Sequence, residues 1–277
     1  MYKLLLSCCI VLAALTTTAQ VKMPAPSPTQ TIKQDFGTSN IELVYSRPSV
    51  KGRKIFGDLV PYGKPWRTGA NAATKIIFSE PVEIAGKKVD TGTYVLYTIP
   101  DKDNWEIIIN KGITNWGVDG YKEDQDVARF TVKTTKVKPE VETFTIQFAN
   151  VKGQSCELQI MWDKTSVAIP ITVNINDKVR AQIEAAMLTE KKPYWQAAQF
   201  YREYDNDLAK ALDNVNKAAV ENPKAFWILL YKARILKEMG NLDEAKVASD
   251  ASIALAKDAK NDDYVKLNED FQKEMKK

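Results

Sequence analysis

Near residue 174 the sequence changes period, and that change decides most of what the chain can fold into. From about Ile32 to Val173, apolar residues alternate with polar ones in short runs rich in β-branched and aromatic side chains, the pattern of half-buried strands. The runs are Ile41–Ser46, Thr74–Phe78, Gly92–Ile99, Trp105–Asn110, Val127–Val132, Phe144–Phe148, Cys156–Trp162 and Val167–Val173. Turn material separates them, as in Ile84-Ala85-Gly86-Lys87-Lys88 and Val151-Lys152-Gly153-Gln154. Many short strands with no helical pattern between them predict an antiparallel β-sandwich over residues 31–174.

From Asn176 the period becomes helical, so residues 175–277 are expected to form a second, α-helical domain. Asp177 caps a helix to about Leu188, and Pro193 opens another carrying Trp195, Ala198, Tyr201 and Tyr204. Three more stripes follow: Leu208 to Ala218, Phe226 to Leu236, and Leu242 to Leu255. Ala197 and Ala233, Phe200 and Leu236, Asp207 and Asp243, and Ala209 and Ala245 are each 36 residues apart. That offset is close to the tetratricopeptide period of about 34. Gly240-Asn241-Leu242-Asp243-Glu244-Ala245 resembles the inter-helix turn of such repeats, so the tail resembles a pair of tetratricopeptide-like hairpins. The full Trp/Gly/Tyr/Pro signature is absent, and a plain helical bundle is the competing reading.

The first nineteen residues predict export. Met1-Tyr2-Lys3 precedes an apolar run from Leu4 to Leu15 and the small-residue exit Thr16-Thr17-Thr18-Ala19, the form of a cleaved signal peptide. The run is shorter than the roughly 20 residues that span a bilayer, so no transmembrane anchor is expected. Cleavage after Ala19 leaves residues 20–30 as a linker and a periplasmic or secreted protein. Leu5-Leu6-Ser7-Cys8 also resembles a lipid-attachment box, but it leaves almost no apolar core before Cys8. Of three cysteines, Cys156 alone survives cleavage, so no intramolecular disulfide forms. Its place in an alternating stretch predicts a small buried hydrophobe.

Composition then removes whole classes of chemistry. The chain contains no histidine, which excludes Ser-His-Asp and Cys-His nucleophiles and HExxH zinc sites. No metal or cofactor is expected. The net charge of +4 is spread along the chain without a dense Lys/Arg block, so nucleic acid is not an expected partner.

One segment does not read as an ordinary sandwich loop. Residues 45–71 hold Ile55, Phe56, Leu59, Val60, Tyr62 and Trp66, which call for burial, among Arg47, Lys51, Arg53, Arg67 and Asn71. Loops of this length inside compact domains are usually functional or disordered, and an ordered loop of this composition predicts a polar cleft. Its motifs R-P-S-V-K-G-R, I-F-G, L-V-P-Y-G and W-R-T-G-A-N, with Gly92-Thr93-Tyr94, Trp105–Asn110 and Trp116-Gly117, closely resemble the DUF2911 family of exported proteins, common in Bacteroidetes. The resemblance runs from about Pro26 to Thr172. It implies a domain boundary and a motif set but no activity. Ala72 stands where the family usually has Glu.

Arg47, Lys51, Arg53, Trp66, Arg67 and Asn71 are therefore the ligand-binding candidates. The arginines either clamp an anion or sugar or brace the loop through carbonyls and carboxylates. Trp66 and Trp105 are core anchors or stacking platforms. Gly52, Gly57, Gly63 and Gly69 suit turns at positive φ better than phosphate approach. Asp58, Asp101, Asp103 and Glu106 are the carboxylates for any glycosidase pair. Asp119, Glu123, Asp124 and Asp126 miss the EF-hand spacing and read as a solvated loop. The reading these features favour is a cell-envelope binding or scaffolding protein. A polar cleft takes a carbohydrate or small anionic ligand, and a helical tail contacts protein. The rival is a histidine-independent hydrolase of carbohydrate or envelope polymer.

Overall fold

The computed structural model describes residues 23–275; the expected signal peptide and its cleavage site lie outside the described residues. Two compact units divide the chain. One comprises residues to Asp35, Ser39–Val151 and Cys156–Ile171; the other comprises Phe36–Thr38, Lys152–Ser155 and the residues from Thr172 onward. No helix among the described residues is long and apolar enough to cross a membrane.

The first unit is antiparallel β-structure: β1 (Thr29–Phe36), β2 (Ser39–Ser46), β3 (Thr74–Phe78), β4 (Val82–Ile84), β5 (Lys87–Val89), β6 (Gly92–Ile99), β7 (Asn104–Asn110), β8 (Asp126–Ala149) and β9 (Ser155–Thr172). The strand order is β1-β2-β3-β6-β7-β8-β9-β4-β5. β4 and β5 form the hairpin expected at Ile84–Lys88, with Ala85 and Gly86 both at positive φ, as a two-residue turn matched to strand twist requires.

The four strand runs expected after Val127 are in fact halves of two long strands. β8 pairs with β7 through Lys133 and then, from Thr134, with β9. It thus leaves one sheet and enters the other. The join was illegible because Thr134–Val141 is polar and mostly exposed. Register shifts there, between Lys136 and Val141 and again before Thr145, with Pro139 in the gap, where a bulge tolerates proline.

Between the layers sits an aromatic core. Trp66 stacks on Trp162 with ring centroids 5.9 Å apart, and Trp105, Phe144 and Phe56 pack edge-on around them. The loop at 45–71 supplies part of this core through Ile55, Phe56, Val60 and Trp66, all buried. Each such side chain contributes on the order of 1.5–3 kcal/mol by leaving water, which orders the segment. Leu59, expected inside, is 45% exposed.

The second unit holds six helices among the described residues: α1 (Asn176–Ala186), α2 (Tyr194–Glu203), α3 (Leu208–Glu221), α4 (Phe226–Glu238), α5 (Leu242–Asp258) and α6 (Asp262–Glu274). The offset of 36 holds for the first helix of each hairpin, where Ala197 and Ala233, and Phe200 and Leu236, are buried. It fails for the second. There the N-caps Asp207 and Asn241 are 34 apart (241 − 207), and the buried faces repeat at that spacing: Ala211 and Ala245, Asn214 and Ala248, Val215 and Ser249, Ala218 and Ser252. Ala209, matched in sequence to Ala245, is exposed. The step from the matched pair to the following N-cap is 7 residues in the first hairpin (207 − 200) and 5 in the second (241 − 236), which accounts for the difference. The helix α6 escaped sequence reading because half of its buried stripe is polar. Asn268 is fully buried, donating to Ser252 Oγ (2.9 Å) and to the Tyr264 carbonyl (2.7 Å), with Ser249 Oγ at 2.9 Å.

Candidate functional site

Register places the polar groups of the β unit on one face of the sheet. Val44 lies opposite Lys75, Lys75 opposite Val95, and Val95 opposite Asn110. One step along, Tyr97 faces Ile108, which faces Arg129. Residues directly opposite in antiparallel strands share a face, and it is the face away from the tryptophan core, since Trp105, Ile107 and Ile109 alternate to the other side.

The loop between β7 and β8 covers part of this face. Asn110, fully buried, donates to the Lys122 carbonyl (2.9 Å) and Asp126 Oδ1 (2.7 Å) and accepts from Gly112 N–H (2.8 Å). Tyr121 packs edge-on against Tyr97 at 5.2 Å. Arg129 ties loop and strands through acids: its guanidinium reaches Asp126, at the start of β8, at 2.7 Å and Glu106 of β7 at 2.8 Å, with Glu123 of the loop at 3.8 Å. The expected solvated acidic loop is corrected at Asp126, whose side chain is 8% exposed and ion-paired. Burial and the hydrogen bond to Asp126 push the Tyr121 phenol up to about 12. Burial works against the Arg129 charge, but Asp126, Tyr121 and Glu106 outweigh it and raise its pKa.

Beside that covered region lies an open cleft of about 310 Å³. Val44, Ala72 and Ala73 give it apolar walls; Thr29, Ser46 and Asn71 give it hydroxyls and an amide; Lys75 gives it its only formal charge. Trp116 stands at the edge, 67% exposed. The Thr29 and Ser46 hydroxyls are 3.2 Å apart, and Asn71 donates to Ser46 Oγ (3.3 Å) and the Ser27 carbonyl (3.2 Å).

Asn71 reaches the cleft because residues 66–74 are tightly pinned. Trp66 and Thr98 exchange backbone hydrogen bonds of 2.7 and 3.0 Å. Trp66 Nε1 donates to the Gly69 carbonyl (3.1 Å), and Thr74 Oγ1 donates to the Thr68 carbonyl (2.6 Å). Gly69, at φ +152, passes so close to β2 that a Cβ would stand 2.9 Å from the Ser46 carbonyl oxygen.

The six predicted ligand residues scatter. Asn71 alone lines the cleft. Arg47 donates to the Phe144 carbonyl (3.0 Å) and Thr145 Oγ1 (2.9 Å), and Arg53 to the Val50 carbonyl (3.1 Å) and the Ser49 carbonyl. Arg47 thus ties the loop to β8, and Arg53 braces the loop on itself. Lys51 is exposed at positive φ, its backbone N–H on Glu142. Trp66 is buried in the core. Arg67 is half-buried; its Nε is buried without a hydrogen-bond partner among the described residues, and its guanidinium lies against Gly117, next to Trp116. Asp58, Asp101 and Asp103 are exposed. Sequence reading missed Lys75, Ser46 and Thr29, ordinary polar positions in β strands. Trp116 carried a signal, an aromatic beside glycine in a polar loop. Burial pushes the Cys156 thiol up to about 11, with Glu157 adding to the shift, which keeps it protonated and inert.

A family model described as "Protein of unknown function (DUF2911)" matches residues 27–171. No curated protein and no solved structure matches the chain.

Proposed function

Since the chain belongs to the DUF2911 family, whose description assigns no activity, its function has to be read from its own residues, and we propose that it is an exported cell-envelope binding or scaffolding protein whose β unit holds a small polar ligand. The observation that carries this reading is the cleft at Ser46, Asn71, Lys75 and Trp116. It combines an exposed aromatic, a rim of hydroxyl and amide groups and one cation, the composition of a ligand site. Export rests on the sequence of residues 1–19. The helical unit supports a protein-contact role: tetratricopeptide-like stacking fits the 34-residue repeat of buried positions, and Trp227, Leu242 and Val247 stay exposed. The hydrolase alternative has less support. Glu106 and Asp126, which the fold brings together, are both paired to Arg129.

The test is a thermal-shift screen of the full chain against soluble saccharides and small carboxylates, with mass spectrometry of each mixture for products. Binding predicts compounds that raise the melting temperature of the wild type but not of Trp116→Ala, and remain intact. Cleaved products would move the reading to the hydrolase. A panel that stabilises nothing would remove the cleft as a ligand site.

A further inference from the structure

We infer that the ligand of the cleft is a saccharide carrying a carboxylate, which rests on the reading of the cleft as the binding site. Three features of the cleft point there together. The first is charge. Lys75 is the only formally charged side chain in the lining, and it has no ion-pair or hydrogen-bond partner among the described residues. Its neighbours across the sheet, Val44 and Val95, are apolar. Asp119, on the same turn as Trp116, is exposed and outside the lining. A lone ammonium between apolar strands gains most from an anionic group, because charge-assisted hydrogen bonds are roughly twice as strong as neutral ones.

The second feature is Trp116. Its turn is closed by a hydrogen bond from Asp119 N–H to the Trp116 carbonyl (3.0 Å) and backed by Arg67, 3.7 Å from the Cβ position of Gly117. An indole left in water at the rim of a polar cleft is a stacking surface for the C–H face of a sugar ring. The third is the hydroxyl and amide rim. Asn71 Nδ2 is held by Ser27 and Ser46, leaving its Oδ1 to accept from ring hydroxyls, while the Ser46 and Thr29 hydroxyls complete the set.

Together these exclude simpler ligands. A flat aromatic acid would use Lys75 and Trp116 and strand the rim. Phosphate calls for more than one cation or a cradle of backbone N–H groups. The volume of about 310 Å³ lies at the small end of ligand pockets, which run to about 1,000 Å³, and suits one sugar ring with part of the next.

The test is isothermal titration of the full chain with the trimer of galacturonate and with its fully methyl-esterified form, which keeps shape and removes charge. Lys75→Met, Lys75→Arg and Trp116→Ala are titrated alongside, each checked by its melting temperature. Wild type should bind the acid at least about tenfold more tightly than the ester, as one charge-assisted contact implies. Lys75→Met should erase that preference, Lys75→Arg should keep it, and Trp116→Ala should weaken both ligands. Equal binding of acid and ester, or a preference surviving in Lys75→Met, overturns the carboxylate and leaves the cleft reading standing. Binding of the acid that no cleft variant weakens overturns both. An acid that does not bind overturns this inference alone, since the wider screen decides the cleft reading independently.

Discussion

Replacing Gly69 by Ala puts the pinning of the 66–74 loop under direct test, because the structure supplies two separate costs there. The first is conformational. At φ +152 the backbone lies in a region reached almost only by glycine, which costs about 1–3 kcal/mol for another residue. The second is steric: the added Cβ meets the Ser46 carbonyl oxygen at 2.9 Å and Thr74 Oγ1 at 3.3 Å. Neither can withdraw freely. The Ser46 carbonyl accepts from Ala70 N–H, and Thr74 Oγ1 donates to the Thr68 carbonyl at 2.6 Å. Losing one such hydrogen bond costs about 0.5–1.5 kcal/mol, so Gly69→Ala should destabilise by about 2–4 kcal/mol. Gly63→Ala is the matched control. Its φ of +68 is also left-handed, but its Cβ would meet nothing within 4 Å, so the loss should be about 1–2 kcal/mol. Urea unfolding of the full chain, followed by tryptophan fluorescence, reads both against wild type. Equal losses for the two variants would mean that the loop gives way at Ser46 and is not pinned there.

Arg129→Met leaves Asp126 and Glu106 without their counter-charge, and the partly exposed site should cost about 1–3 kcal/mol; a double-mutant cycle with Asp126→Asn should recover most of it, and strict additivity would refute the coupling. Tyr121 has a folded-state pKa raised from 10.0 to about 12, so its contribution is intact below pH 10 and is lost as pH rises toward 12. Tyr121→Phe should therefore flatten the stability profile in that window, and an unchanged alkaline slope would argue against the raised phenol. Cys156, buried and with its thiol pushed up to about 11, should resist iodoacetamide at pH 8 until the chain is unfolded in urea. Stoichiometric labelling of the native protein would contradict its placement.

How far the sequence went depends on whether the signal was periodic. β3, β6 and β7 stood out because β-branched and aromatic residues are concentrated in short runs there, and the hairpin at Ala85-Gly86 because its turn chemistry is local. The long strands β8 and β9 looked like four, since the stretch that carries β8 from one sheet to the other buries little. The helix α6 was invisible for a related reason: Asn268 occupies a core position that only tertiary hydrogen bonds to Ser249 and Ser252 make tolerable. At the candidate site, sequence reading followed the unusual residues and found the loop's braces, Arg47 and Arg53. Lys75 and Ser46 are unremarkable within their strands, and register alone brings them to one face. Of the six expected residues, Asn71 alone lines the cleft.

Fluorine NMR of the full chain labelled with 5-fluorotryptophan would test the cleft most directly. Six tryptophans report separately on the core at Trp66, Trp105 and Trp162, on the cleft at Trp116, and on the helical unit at Trp195 and Trp227; Trp116→Phe assigns the decisive signal. Addition of a stabilising saccharide or carboxylate should shift the Trp116 resonance in a saturable way and leave the three core resonances in place. Shifts confined to Trp195 and Trp227, or a Trp116 signal that no stabilising compound moves, would contradict the assignment of binding to the β unit.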